Sequence, residues 1–263
     1  MTSLLADMNF ILRDLARRVL INSTRAIEPA ASIQDLRVDD AYRAWAPTYA
    51  VETAISALDE ELAQEVLSGL PRNRLLDAGC GIGRRMQGIE NAVGIDLNSE
   101  MLTAAGRMNV TAGDVRKIPF APEIFDMVWC RLVLGHIPDP IEAYREFFRV
   151  CLPGGYVFVT DFHSEAAAAG HRRTLTDESG AVHGIEHYVH TDHPTLAAKA
   201  GLAIRAHREG SVGESVREFY RRGIGLKAYK RDLGLKLVDA FLFQKPLRDS
   251  ARRHQCDNRL TGE

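Results

Sequence analysis

"LLDAGCGIGR", residues 75–84, runs from two leucines into Asp77 and then places Gly79, Gly81 and Gly83 at every second position. An apolar pair ending in an acid reads as a strand, and the glycines after it let the backbone turn sharply and approach a ligand that a Cβ would exclude. Glycine-rich loops also serve phosphates and dinucleotides, so the neighbours must discriminate. A phosphate loop needs Gly-Lys followed by Ser or Thr, but Gly83 is followed by Arg84 and Arg85. A GxGxxG dinucleotide loop needs glycine at 84. An acid at the strand end faces a pyrophosphate unfavourably and suits a cationic ligand.

Outward from this loop, short apolar runs alternate with helical segments. The strand candidates are "RLLDA" (74–78), "AVGID" (92–96), "NVTAGD" (109–114), "FDMVWC" (125–130), "GYVFVTDF" (155–162), "LAIRAHRE" (202–209) and "LVDAFLFQK" (237–245). Such alternation predicts an α/β domain with a mostly parallel sheet and helices on both faces. A helix is expected from about Val51 to Ser68, with Ile55, Leu58, Leu62 and Val66 on one face. Three segments follow: an N-terminal helical extension over 1–40, a main domain over 41–246 and a polar tail over 247–263. Within the extension, Leu4, Leu5, Met8, Ile11, Leu12, Leu15 and Val19 form one apolar stripe, suited to packing on the domain or on a second subunit as a homodimer.

Composition narrows the class. With 263 residues and 46% hydrophobic content the chain can bury a sizeable core. The net charge of −2 gives no attraction for nucleic acid. Cys80, Cys130, Cys151 and Cys256 are scattered without a CxxC pair, which suits reduced cytoplasmic thiols. Neither a secretory pattern nor a run of about 18 apolar residues is present, so no membrane span is expected.

Two further acids end successive strands. Asp96 closes "VGID", where a carboxylate accepts ribose hydroxyls, and Asp114 follows the third strand in "AGDVRKIPF", where it suits an adenine amino group. Either acid alone also reads as a turn or helix-cap residue. Three acids after three strands, with the glycine loop, point together to a nucleoside.

On these residues, with "AYRAWAPTYA" (41–50), "FDMVWCRLVLGHIPDP" and "EFFRVCLPGGYVFVTDF", the chain resembles the class I S-adenosylmethionine-dependent methyltransferases. The likeness is to the small-molecule branch that holds quinone C-methyltransferases and the biotin-pathway carboxyl O-methyltransferase. It implies a Rossmann-like seven-stranded sheet whose last strand is antiparallel. It also implies S-adenosyl-L-methionine as cofactor, with S-adenosyl-L-homocysteine as product. Asp77 and Gly79 would hold the methionine amino group, while Gly81 and Gly83 would give close approach. Asp96 would bind the ribose, Leu97 would pack on adenine, and Asp114 with the Val115 backbone would read the adenine edge. Tyr42, Trp45 and Tyr49 fall in the family's N-terminal lid motif, or else form a plain aromatic contact.

Two departures stand out. Gly83 and Asp96 are closer in sequence than is usual in the family, so the helix after the glycine loop should be about one turn short. Arg131 stands at the end of the fourth strand, where the family has small or uncharged residues. It either pairs an anion on the acceptor or bridges to a neighbouring acid.

Methyl transfer needs a base only when the acceptor must lose a proton. His136 in "LGHIPD" is placed as base, as acceptor contact or as a structural hydrogen-bonding group. Six of nine histidines lie between positions 163 and 193, the stretch that in this family forms the acceptor lid. "RRTLTDESGAVHGIEHYVH" reads as a hairpin turning at Asp-Glu-Ser-Gly, followed by a helix starting at Thr191 or Asp192. In an extended chain His183 and His187 stand about 13 Å apart, so no metal is expected there. His163, His187 and His190 remain the candidates to touch an acceptor. A carboxyl O-methyltransferase acting on a carrier-bound acyl group is the rival reading, since "REFYRRGIGLKAYKR" (217–231) could dock an acidic carrier protein. A non-catalytic cofactor-binding regulator is another.

Overall fold

A computed structural model of the chain describes residues 35–106 and 109–248. The apolar stripe of the N-terminal extension and most of the polar tail lie outside these. The strands are β1 (Asp35–Leu36), β2 (Leu75–Ala78), β3 (Ala92–Asp96), β4 (Val110–Ala112), β5 (Phe125–Arg131), β6 (Cys151–Phe162), β7 (Thr174–Thr176), β8 (Val182–Ile185), β9 (Ala203–Ser211) and β10 (Lys236–Gln244). The helices are α1 (Val38–Trp45), α2 (Ala54–Val66), α3 (Ser99–Ala105), α4 (Ile141–Val150), α5 (Ser164–Ala168), α6 (His193–Lys199), α7 (Arg217–Arg222) and α8 (Leu226–Asp232).

Seven strands form one sheet in the order β4-β3-β2-β5-β6-β10-β9. β10 runs antiparallel to both β6 and β9, and the pairs among β4, β3, β2, β5 and β6 are parallel. All seven strand candidates are present, and the last strand is the antiparallel one. The order reverses beside β2, so the β2 and β5 loops diverge there and open a crevice at the carboxyl ends of the strands.

Each face of the sheet buries its own cluster. Leu76, Val128, Val157, Phe241 and Phe243 face Tyr144 and Phe147 of α4 and Leu196 of α6. On the other side Leu75, Met127, Trp129, Phe158 and Leu242 meet Leu58 and Leu62 of α2. Near-continuous apolar runs such as "YVFV" follow from burial on both faces. α2 starts as a capping box, with Thr53 Oγ1 accepting from Ser56 N and Ser56 Oγ accepting from Thr53 N.

A second, small sheet, β1-β8-β7, stands beside the crevice. The expected hairpin is β7–β8: Asp177 Oδ1 accepts from the N–H groups of Ser179 and Ala181, and Gly180 takes φ +84°. α6 follows with Asp192 as its N-cap and Pro194 in its first turn. No helix among the described residues is long and apolar enough to cross a membrane.

Candidate active site

The turn after β2 is built by its glycines. Gly79 (φ +83°) and Cys80 both donate N–H to Ile95 O, at 2.8 and 2.9 Å, tying the loop to β3. A Cβ on Gly79 would lie 2.3 Å from Val133 Cγ2, so no larger residue fits there. Gly83 (φ +70°) leads into a single 3₁₀ turn, Arg84–Met86, in place of an α-helix. The shortening expected from the sequence is therefore larger than one turn.

This turn opens onto a cleft of about 870 Å³ lined by Gly79, Gly81, Asp96, Leu97, Asp114 and Val115, together with Tyr42, Tyr49, Arg131 and His136. Asp96 Oδ2 accepts from Gly81 N (2.8 Å) and Oδ1 from Asn98 N (2.9 Å). Burial raises its pKa against the pull of those N–H groups. Asp77 lies fully buried at the root of the turn, and neither carboxylate oxygen has a hydrogen-bond partner among the described residues. Burial pushes it up to about 6 although Arg85 and Arg131 pull the other way. A buried carboxylate without partners is costly unless a cation or donor arrives. Asp114 is held below the ordinary range by Arg116, whose Nη2 lies 2.7 Å from Oδ2. Leu97 is exposed on the cleft rim.

The aromatic trio divides. Tyr42 and Tyr49 line the cleft, whereas Trp45 faces a second cavity while touching Tyr49 edge-on at 4.7 Å between centroids. Gly83 and Asp77 support the turn from outside the lining.

Of the two readings of Arg131, the bridge to a neighbouring acid is the one the structure shows, although the residue also lines the cleft. Its guanidinium is buried and bound to Asp59 (Nη2–Oδ2 2.8 Å) and Glu60 (2.8 Å). Asp59 also takes Arg85 at 2.8 Å and Thr160 Oγ1 at 2.6 Å. Burial works to raise Asp59, but the two guanidinium groups outweigh it and hold it near 2. Nothing in the spacing of "ALDEEL" distinguishes Asp59 from its exposed acidic neighbours, except that it sits on the apolar face of α2.

Of the histidines, His136 lines the cleft. Its Nδ1 lies 3.2 Å from Glu186 O and its Nε2 2.8 Å from the Tyr42 hydroxyl. A carbonyl only accepts, so Nδ1 carries the hydrogen and Nε2 presents its lone pair to the hydroxyl. Burial, helped by the Arg173 charge, holds this imidazole down to about 4, neutral at physiological pH. His187 packs edge-on against the His136 ring at 5.4 Å, with Nε2 3.8 Å from Asp161 Oδ1. Burial pushes it down to about 3 against the pull of Asp161.

His163 and His190 are corrected as acceptor contacts. His163 Nδ1 accepts from Glu165 N at the start of α5, and Nε2 turns to Glu209 (3.3 Å) on β9 and Asp239 (3.5 Å) on β10. These three could converge on a cation, yet Glu209 already pairs Lys236 and Asp239 pairs His207. His190 Nε2 donates to Ile137 O (2.9 Å) and Leu134 O (3.2 Å), bracing the loop that carries His136. Sequence reasoning missed Asp161, buried between His187 and His193, because its motif reads simply as the end of a strand.

The site thus offers a carboxylate on backbone N–H groups, an apolar rim and a neutral imidazole along one cleft, with a buried acid at the root of its glycine turn. A methyltransferase domain model matches residues 76–159. The ubiquinone biosynthesis O-methyltransferase of Bordetella avium is 30% identical, over 57% of this chain and 70% of that protein. The 24-methylenesterol C-methyltransferase 2 of Oryza sativa is 31% identical over 48% of this chain and 38% of that protein. The chain spans about half the length or less of the plant sterol methyltransferases it matches. Among solved structures, a S-adenosylmethionine-dependent methyltransferase from Mesorhizobium loti superposes with a TM-score of 0.54 at 17% identity, over 73% of this chain and 100% of that one. Sheet order, glycine turn, strand-end acids and these matches agree: the chain belongs to the class I S-adenosylmethionine-dependent methyltransferases.

Proposed function

We propose that the chain transfers the methyl group of S-adenosyl-L-methionine to a small-molecule acceptor that carries an anionic or phenolic group. The observation that carries this reading is one cleft shared by Asp96 and the His136–Tyr42 pair, with the buried Asp77, whose carboxylate has no hydrogen-bond partner among the described residues, at the root of the glycine turn behind it. Asp77 at the root of the turn would hold the cofactor's ammonium, Asp96 its ribose hydroxyls, and Leu97, Asp114 and Val115 its adenine. S-adenosylmethionine, when bound, supplies a methyl group already activated by a sulfonium.

The protein's own task is then to position the acceptor and exclude water. Tyr42 and Tyr49 cover the cleft, and the β7–β8 hairpin with the segment after it serves as the acceptor lid, over about 163–193. Tyr188 N donates to Gly135 O at 2.7 Å, pinning that segment onto the loop after β5. For a phenolic acceptor, the departing proton passes to the Tyr42 oxygen as that hydroxyl gives its own proton to His136 Nε2, while Glu186 O fixes the tautomer. A carboxylate acceptor needs no base.

The carrier-protein reading draws less support. Arg221 and Arg222 both pair Glu218, and Arg231 pairs Asp232, so much of the 217–231 charge is neutralised within its own helices.

The test is a transfer assay with methyl-labelled cofactor against phenols, quinones, short carboxylic acids and acyl-carrier conjugates, alongside calorimetry of cofactor binding. Transfer to a free phenol or acid is expected. Transfer to carrier conjugates alone would establish the rival reading, and cofactor binding without any transfer would favour a regulator. Undiminished cofactor affinity in Asp96→Ala would sink the cofactor placement.

A further inference from the structure

The second cavity lies beside the cofactor cleft, and Tyr49 and Leu132 line both. Its wall carries four guanidinium groups: Arg84 and Arg85 from the turn after β2, and Arg172 and Arg173 from the approach to β7. Two are neutralised, Arg85 by Asp59 and Arg172 by Asp35. Arg84 and Arg173 have no carboxylate within ion-pair distance among the described residues. The lining contributes no acid, and the hydroxyls of Thr53 and Ser56 are spent on the α2 cap. Burial and the Arg85 charge beside it hold Arg84 below the ordinary guanidinium range. The cavity therefore keeps positive charge that the chain leaves uncompensated, in a half-enclosed space of about 560 Å³.

The position of this charge matters as much as its sign. Arg173 also hydrogen-bonds the Tyr42 hydroxyl, which in turn pairs His136, so the cavity adjoins the cleft beside this pair. Between them Leu132 holds φ +60°, a conformation that a branched L-residue adopts only when its surroundings enforce it. Trp45 and Tyr49 add aromatic side chains to the lining. A planar guanidinium pairs a carboxylate or phosphate through two parallel N–H bonds.

We propose that this cavity is the acceptor subsite, in which Arg84 and Arg173 grip a carboxylate or phosphate of the acceptor while its ring lies against Trp45 and Tyr49 and its reactive atom passes Leu132 towards His136. The assignment rests on the methyltransferase reading and narrows its acceptor to an anionic aromatic or similarly flat molecule. It moves the anion contact from Arg131, which Asp59 and Glu60 consume, to Arg84 and Arg173 in the neighbouring cavity.

Calorimetry on the full chain tests it, with benzoate and phenyl phosphate as anionic probes, benzyl alcohol as the neutral one, and S-adenosylhomocysteine saturating the cleft. Both anions are expected to bind and benzyl alcohol not. Arg84→Gln and Arg173→Gln should each weaken the anions about tenfold, as loss of a charged hydrogen bond does, and leave S-adenosylhomocysteine affinity within about twofold. Arg84→Lys should restore part of the loss. Arg84→Gln should melt no lower than the wild type, because it removes a charge without a partner. If the glutamine variants instead weaken S-adenosylhomocysteine and spare the anions, the arginines hold the cofactor's own carboxylate and the proposal falls. Anions that fail to bind the saturated wild type overturn it too. Failure of S-adenosylhomocysteine itself to bind would strike the methyltransferase reading instead.

Discussion

Acidifying the medium from pH 7 to pH 5 should loosen the cofactor through one residue, Asp77. In the ligand-free chain its carboxyl is raised by burial to about 6, so it is mostly ionised at pH 7 and mostly protonated at pH 5. A cation brought to ordinary ion-pair range is worth about 4 kcal/mol at an effective dielectric of about 20. That is enough to lower the bound-state pKa by about 3 units and keep the acid ionised throughout this window. Binding at pH 5 must then first remove a proton from about 90% of the molecules, which weakens the affinity about tenfold relative to pH 7. The cofactor's α-amino group stays protonated over the whole range, and His136 and His187, near 4 and 3, titrate below it.

The same shift has a signature in stability. An acid whose folded pKa is raised binds more protons folded than unfolded between its two pKa values. Stability contributed by Asp77 is thus present below about 4 and is lost as pH rises through 6, to a total of about 3 kcal/mol. Calorimetric titration of S-adenosylhomocysteine at pH 5, 6 and 7, in the wild type and in Asp77→Asn, checks the reasoning. The variant should bind more weakly at pH 7 and show a flat profile. A wild-type affinity independent of pH would refute the argument, and so would an unchanged slope in Asp77→Asn, which would shift the proton to Asp96.

Other outcomes follow from the packing. Asp59→Ala removes the shared partner of Arg85 and Arg131 and should cost about 3–5 kcal/mol in urea unfolding, the range for breaking a buried ion pair from one side. Gly79→Ala should abolish cofactor binding, since its Cβ meets Val133 at 2.3 Å; Gly69→Ala, with equal positive φ and open space around it, should cost only about 1 kcal/mol and spare binding. His136 is neutral when folded and protonates near 6.5 when unfolded, so its stabilisation is lost as pH falls from about 6.5 to 4. Asn at 136 should therefore flatten the acid limb of the stability profile by up to about 3 kcal/mol, read from denaturant midpoints at each pH.

The sheet was legible because its strands carry their own signals. "LLDAGCGIGR" shows a buried strand and an obligatory glycine turn in local chemistry alone, and Asp96 is placed by the same logic one strand later. The side chains that decide the acceptor end were not legible, for a physical reason. Asp59 and Arg131 are 72 positions apart and meet only because α2 packs across β5. Whether Arg131 is free or consumed depends on that packing and on nothing in the sequence around 131. Likewise His163 looks equivalent to His187 along the chain, but β6 delivers it to β9 and β10 and the hairpin delivers His187 to the back of His136.

The density of imidazoles that first suggests metal chemistry has another cause. His136 to Glu186 O, His190 to Ile137 O and Tyr188 N to Gly135 O all join the loop after β5 to the segment after β8. His187 and His193 flank Asp161, with Nε2 atoms 3.8 and 3.4 Å from its carboxylate, and the other nitrogen of His193 lies 2.8 Å from the buried Tyr144 hydroxyl. Histidine suits such seams because a neutral ring offers one donor and one acceptor on a flat body that packs like an aromatic. Burial works to raise the Asp161 carboxyl, and the flanking imidazoles with the Phe162 N–H reverse it. Gly135 completes the seam, since a Cβ there would lie 2.1 Å from His187 Nε2 and 2.9 Å from Asp161 Oδ1. Gly135→Ala must displace His187 from its place beside His136 and Asp161. If the cluster holds the cover of the cleft in register, that substitution should raise the acceptor KM and leave S-adenosylhomocysteine affinity unchanged, since Asp77 and Asp96 lie on other strands. Equal losses in both would mean that the seam supports the whole crevice rather than its acceptor end.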